Sequence, residues 1–209
     1  MSEELVFYTN PQSRGRIVRW MLEEVGQPYR TELLDYGTSM KGSAYLSINP
    51  MGKVPAITHR GQTITECAAI CAYLADAFPE AGLAPPLQDR ARYYRWLFFA
   101  AGPVEAAVTN KALQIAVPAE RERMVGYGNM NCVLDALEGA LDGRDYIATD
   151  RFTAADCYLG AQLFWGMMFG TMEKRPTFEA YTARLLDRPA YKRAMEIDDA
   201  LSPAPASAG

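Results

Sequence analysis

The 209-residue sequence contains a single histidine, four cysteines with no Cys-x-x-Cys pair, no block of like charges, and no apolar run approaching the ~20 residues that cross a bilayer. Each scarcity excludes something. One imidazole, His59, cannot build a His-rich metal centre or a second relay, which disfavours zinc hydrolysis and Ser-His-Asp chemistry. Its place in a strand beside a turn reads as a solvated strand residue. Cys67, Cys71, Cys132 and Cys157 each fall in helix-like apolar periodicity and read as reduced core or site residues, not a disulfide framework. The net charge is −4, and Arg and Lys are interspersed with Asp and Glu, which argues against nucleic acid or an anionic membrane as the main partner. Met1-Ser2-Glu3-Glu4 is acidic and leads into a short apolar run, unlike a signal peptide, so a cytoplasmic location is expected.

What is present is an ordinary globular composition, 49% hydrophobic and 22% charged. The length suits two compact units of roughly 80 and 120 residues. Leu5 to Thr9 is a β-prone run that stops at Asn10-Pro11-Gln12-Ser13. Ile17, Val18, Met21, Leu22 and Val25 then recur at helical spacing over residues 14–25, with Gly26 and Pro28 as the stop. Residues 29–34 read as a second strand, parallel to the first because a helix separates them. Residues 35–50 carry one short, irregular helix near 41–46. Residues 54–59 and 62–65 flank Arg60-Gly61 as a hairpin, and Thr65 caps a helix with Cys67, Ile70, Cys71, Leu74 and Phe78 on one face. The order β-α-β-α-β-β-α is that of a thioredoxin-like domain.

Residues 79–86 interrupt this pattern with three prolines and Gly82. The expected organisation is a thioredoxin-like domain over 1–79, a linker over 80–88, an all-helical domain over 89–201 and a flexible tail over 202–209. Helices are expected at 89–101, 104–116, 118–141, 153–168 and 178–186, with a short one near 191–199. Thr153-Ala154-Ala155-Asp156 has the form of a capping box, a structural device that satisfies free backbone N–H groups.

Three segments have chemical potential. Ser13 to Arg16 lies where a strand meets the N-terminus of the first helix, a place that favours an anion. A free thiol of pKa about 8.5 is only ~3% thiolate at pH 7, and lowering the pKa by about two units, roughly 2.7 kcal/mol, makes the thiolate dominant. A hydroxyl donor at that helix end is expected to supply much of that stabilisation, which makes Ser13 the candidate, although a serine there is also an ordinary cap. In Asn49-Pro50-Met51-Gly52-Lys53-Val54-Pro55, a Val-Pro bond entering a strand suggests a cis peptide, with the Val54 backbone able to pair with a bound peptide; a plain loop is the alternative. In Thr65-Glu66-Cys67, helix-terminal N–H groups suit a carboxylate and the Glu66 side chain an ammonium, unless the acid only complements the helix dipole.

In this order and spacing, Tyr8 to Arg16, Asn49 to Ile57 and Thr65 to Ile70, together with Tyr93 to Phe99 and Phe152 to Asp156, resemble the cytosolic glutathione transferases of bacterial type, over nearly the whole chain. The resemblance implies glutathione as co-substrate, no metal, and attack of a glutathione thiolate on an electrophilic apolar substrate. It implies that Val54 and a cis Pro55 hold the cysteinyl backbone, Glu66 and Cys67 the γ-glutamyl end, and Lys53 with Lys41 the glycyl carboxylate. Ser13 resembles the hydroxyl of the serine-type classes. Aligning instead on Arg14-Gly15-Arg16 puts Asn10 at the catalytic position, while Tyr8 is read as core. Cys67 stands where the family usually has serine, a weaker side-chain donor. Tyr93, Trp96, Phe99 and Trp165 are the candidates for an apolar second-substrate pocket, and a homodimer is expected. Glutathione-dependent disulfide or peroxide reduction, and a non-catalytic binding role, are the alternatives.

Overall fold

The computed structural model describes residues 4–202, so the proposed tail, apart from Ser202, lies outside the described residues. The chain forms two compact units: one contains the residues up to Ala81 together with those from Arg188 onward, and the other spans Gly82–Asp187.

The first unit is thioredoxin-like. Strands β1 (Val6–Thr9), β2 (Arg30–Leu33), β3 (Ala56–His59) and β4 (Gln62–Thr65) form one sheet in the order β2-β1-β3-β4. β1 runs parallel to β2 and antiparallel to β3, and β3 pairs antiparallel with β4. The parallel pair is joined through helix α1 (Gly15–Val25), as a parallel connection requires. Ile17, Val18, Met21, Leu22 and Val25 are all buried, and the helix ends at Gly26, whose φ of 72° lets its N–H reach the Leu22 carbonyl at 2.9 Å. Side chains alternate across β1: Phe7 is fully buried, whereas Tyr8 packs on the other face with Met40, Ala56 and Tyr45 of the short helix α2 (Ser43–Leu46). The β3–β4 hairpin turns through Arg60 and Gly61, both at positive φ (51° and 74°), as a two-residue turn of this hand needs.

Two readings of this region are corrected. His59 is not solvated: it is 3% exposed, its Nδ1 lies 2.9 Å from the Tyr73 hydroxyl, and its ring stacks on Phe78. Alternation on a strand puts it on the face covered by helix α3 (Cys67–Ala77). Nor does Thr65 cap α3. It closes β4, and Glu66 occupies the N-cap position at φ 67° with no side-chain capping bond.

The last helix of the chain, α9 (Pro189–Leu201), also packs in this unit, against α1, although the linear division counts it with the helical half. A row of charges joins the two helices: Arg16–Asp199 at 2.6 Å, Arg19–Asp198 at 2.8 Å and Glu23–Arg193 at 3.3 Å, with Arg188 at the start of α9 bidentate on Glu24. Trp20 meets Tyr191 edge-on between them. The Arg19–Asp198 pair is almost wholly buried, with Arg19 also donating to Tyr29 and Thr31. Burial raises the Asp198 carboxyl above its ordinary value, and Arg19 opposes that rise.

The second unit is helical: α4 (Ala91–Phe99), α5 (Glu105–Ala112), α6 (Met130–Leu141), α7 (Ala154–Met168) and α8 (Pro176–Leu186). A π-helical turn over Ala100–Val104 joins α4 to α5 around Pro103, which has no N–H to donate. The single helix expected over 118–141 is instead a 3-10 segment, Ala119–Met124, and α6. Gly126 and Gly128, the latter at φ 67°, lie between them, and Asn129 caps α6 by accepting the Cys132 N–H at 3.0 Å. Helix propensity reads through this break because charged residues on both sides favour helix. α7 is buried on most of its surface, and its capping box is formed. Asp156, with no exposed surface, accepts from the N–H of Ile147, the N–H and hydroxyl of Thr153 and the hydroxyl of Tyr181, all within 2.9 Å. Burial pushes its carboxyl up while these four donors pull it back.

Four buried donors lose their acceptor in Asp156→Ala, so at ~1–3 kcal/mol for each unsatisfied buried group the cost is about 4 kcal/mol of stability or more. Urea unfolding of the variant is expected to show that loss; a change within about 1 kcal/mol contradicts the role.

Candidate active site

Strand register decides which segments meet. Ala56, the first residue of β3, lies opposite Tyr8 near the end of β1 and opposite Thr65 at the end of β4. The chain leaving β1 (Asn10 to Ser13), the chain entering β3 (Val54 and Pro55) and the chain leaving β4 (Glu66 and Cys67) therefore emerge at the same end of the sheet. Three segments spread over more than fifty residues of sequence are neighbours by this register. The Val54–Pro55 peptide is cis, with Val54 half-buried and Pro55 buried.

Ser13 sits in the turn that opens α1. Its hydroxyl donates to the Asn10 carbonyl at 2.6 Å and accepts the Gly15 N–H at 2.9 Å. The helix-start amide thus polarises the hydroxyl, which makes it a stronger donor. Asn10 is committed at both ends of its amide: Nδ2 donates to the Leu34 carbonyl at 2.8 Å and Oδ1 accepts the Gln12 N–H at 2.9 Å. Together with the Leu34 N–H on the Thr9 carbonyl, this extends the parallel pairing past the strand ends. Tyr8, as read, packs on Tyr45.

The tightness of this turn depends on Gly15. A Cβ there would lie 1.9 Å from Thr9 Oγ1 and 3.0 Å from Ser13 Oγ, so the start of α1 packs directly against the Thr9 and Ser13 side chains.

At the opposite side of the site, α3 begins beside α1: Cys67 Sγ lies 3.8 Å from the Arg14 carbonyl. Glu66 is exposed, and its φ of 67° with ψ of 119° is a conformation that costs an ordinary residue about 1–3 kcal/mol. The lysines are placed differently from each other. Lys41 Nζ donates to the carbonyls of Gly52 (2.7 Å) and Met51 (3.4 Å), which fixes it on the loop before Val54. Lys53 has an exposed side chain, while its carbonyl is held by the Tyr45 hydroxyl (2.6 Å) and Asn49 Nδ2 (2.8 Å). Burial pushes the Tyr45 hydroxyl up to about 12, so it remains a donor throughout the ordinary pH range.

The four candidates for an apolar pocket belong to the helical unit. Tyr93 and Trp96 are 1% and 3% exposed, so they serve as core; Trp96 meets Phe99 edge-on, and Arg95 lies 4.6 Å over its ring. Phe99 and Trp165 are half-buried. None of the four lines the cavity of ≈ 150 Å³ formed by Ala107, Asn110, Ile115, Val117, Tyr127 and neighbouring residues. Sequence reasoning missed one contributor, Gly15, for which a glycine one residue into a helix was the available signal.

The chain matches the family model described as glutathione S-transferase, N-terminal domain, over residues 13–77, and that described as glutathione S-transferase, C-terminal domain, over residues 104–189. It is 31% identical to glutathione S-transferase GstA of Escherichia coli O157:H7 over 172 residues, which cover 77% of this chain and 78% of that protein. Among solved structures it is similar to a glutathione transferase from Methylococcus capsulatus, with 30% identity, a TM-score of 0.77, and coverage of 94% of this chain and 99% of that one. A sphingomonad glutathione S-transferase complexed with glutathione gives 30% identity, a TM-score of 0.75 and coverage of 93% and 98%.

Overpacking a well-filled site costs about 1–3 kcal/mol. Gly15→Ala is expected to lose that much in thermal or urea unfolding, and Thr9→Ala in the same chain to recover part of it, because it removes the nearest atom. Additive losses in the double variant contradict the close contact.

Proposed function

Since this chain belongs to the glutathione S-transferase family, we propose that its first unit holds glutathione across the sheet end where Ser13, Val54 and Glu66 emerge, and that Ser13 stabilises the bound thiolate. The observation that supports the reading is the common register of β1, β3 and β4, which brings the Ser13 hydroxyl, the Val54 backbone beside its cis peptide and the N-terminus of α3 to the same end of the sheet. In the complex, the Val54 backbone pairs with the cysteinyl residue as an added strand does. The Cys67 amide and the Glu66 carboxylate take the γ-glutamyl end, and Lys53 with Lys41 approaches the glycyl carboxylate.

The thiol proton leaves to solvent, and the Ser13 hydroxyl turns from the Asn10 carbonyl toward the sulfur while still accepting the Gly15 N–H. The thiolate then attacks an electrophilic carbon: a C–S bond forms, and the leaving group departs with its electron pair or, in an addition, the adjacent atom takes up a proton. Proximity and electrostatic stabilisation supply the acceleration. Asn10 is assigned to holding the loop, because both ends of its amide are already bonded. The second substrate is assigned to apolar surface that includes Phe99 and Trp165. A homodimer and a cytoplasmic location belong to the same proposal; among the described residues no helix is long and apolar enough to cross a membrane.

Loss of one such donor costs up to about 10²-fold or more in kcat where it acts alone, and less where a helix N-terminus shares the charge. Ser13→Ala is expected to lower conjugation of a chloronitrobenzene by about 10- to 100-fold with a nearly unchanged KM for glutathione. An unchanged rate removes Ser13 from the mechanism. A disulfide substrate turned over faster than the chloronitrobenzene identifies reduction as the main reaction, and failure to bind immobilised glutathione identifies a non-catalytic module.

A further inference from the structure

Arg16 has three neighbours that together join the site loop to the last helix. Its Nε donates to the Pro11 carbonyl at 2.6 Å, its Nη2 to Asp199 Oδ1 at 2.6 Å, and its Nη1 lies 3.5 Å from Met195 Sδ. Pro11 is buried in the turn Asn10 to Ser13, two residues before the hydroxyl assigned to the sulfur. Two other side-chain bonds tie that turn to the chain after β2, Asn10 Nδ2 on the Leu34 carbonyl and the Tyr36 hydroxyl on the Gln12 carbonyl at 3.1 Å. Arg16 is the side chain that ties the same turn to α9.

We propose that Arg16, held by Asp199, is a positioning residue: it fixes the Pro11 carbonyl and thereby the orientation in which Ser13 presents its hydroxyl to the glutathione sulfur. The inference rests on the reading of the site given above. Asp199 serves as a fixed post because α9 is pinned independently, by the buried Arg19–Asp198 pair one residue away and by Arg188 on Glu24. The Arg16–Asp199 pair itself adds little stability, since the Asp199 side chain is 67% exposed and such pairs contribute little in water. Its bond to a neutral carbonyl is charge-assisted and directional, so its effect falls on geometry. A lysine at position 16 keeps the charge but cannot span both partners with a planar fork.

The test uses the full chain with glutathione. Calorimetry gives affinity, ultraviolet titration of the bound thiol gives its midpoint, and conjugation kinetics give kcat and KM. In Asp199→Ala the thiol midpoint is expected to rise by about 0.5 to 1 unit, so that kcat/KM at about pH 6.5 falls about 3- to 10-fold, with KM for glutathione changed less than about twofold. Arg16→Lys is expected to behave likewise, and Asp199→Glu to restore the midpoint. Arg193→Ala, which breaks the Glu23 pair between the same two helices, is expected to leave the midpoint in place. If Asp199→Ala does not fold, Asp199→Asn carries the same expectation.

A midpoint that is lowered in the wild type and unmoved in the Asp199 variants overturns the positioning role and leaves the functional reading standing. An equal rise in Arg193→Ala shows general loosening of α9 and overturns it too. A wild-type protein that takes up no glutathione overturns both.

Discussion

The site depends on one constraint, the antiparallel pairing of β3 with β1 and of β4 with β3 in a register that places Ala56 beside both Tyr8 and Thr65. A shift of one residue would turn the buried Phe7 and Ile57 toward the face that carries Tyr8, so the register is held by burial on both sides of the sheet. Because the pairing cannot slip, the turn before α1, the chain entering β3 and the N-terminus of α3 arrive together. Each of these contributes something a peptide ligand can use, respectively a hydroxyl beside a helix start, the backbone beside a cis peptide and a set of helix-terminal N–H groups. The sheet needs no catalytic side chain within its strands; it acts by delivering loops.

Around that sheet the forces differ by place. The sheet, α1 and α3 are joined by apolar burial, with Phe7, Ile17, Met21, Ile57, Ile70 and Leu74 at 1% exposure or less. The α1–α9 contact is largely electrostatic by comparison. Its central pair, Arg19–Asp198, is incompletely satisfied, since Arg19 Nη2 and Asp198 Oδ2 have no hydrogen-bond partner among the described residues. Such a pair adds little net stability and is costly to break on one side only, so it fixes where α9 sits more than how strongly. The same physics recurs at Asp156 in the helical unit, where a buried carboxylate organises the start of α7 by accepting from two backbone amides and two hydroxyls.

The thioredoxin-like order of elements was legible because its signals are local. Phe7 and Ile57 lie in short β-prone runs, Ile17 to Val25 keep a helical period, and Arg60-Gly61 is a turn dipeptide. The three site segments were legible for the same reason, as turn and cap residues at the ends of those elements. What could not be read depends on partners far away in sequence. His59 looked solvated because Tyr73 and Phe78 come from the following helix. Residues 118–141 looked continuous because helix-forming charges outweigh two glycines in any local window. The attachment of α9 to α1 turns on Arg16, Arg19, Glu23 and Glu24 meeting residues some 170 positions later, and nothing in a surface arginine shows which carboxylate it will find. Asn10 competed with Ser13 on spacing alone, and only the two bonds on its amide give it a structural occupation.

The most direct measurement of the central claim is a crystal structure of the chain with glutathione. The account predicts the cysteinyl backbone paired with Val54 and the sulfur within hydrogen-bond distance of Ser13 Oγ, with the Ser13–Asn10 carbonyl bond released. A sulfur resting beside Asn10 or Tyr8, or a tripeptide bound away from the shared end of β1, β3 and β4, would contradict it.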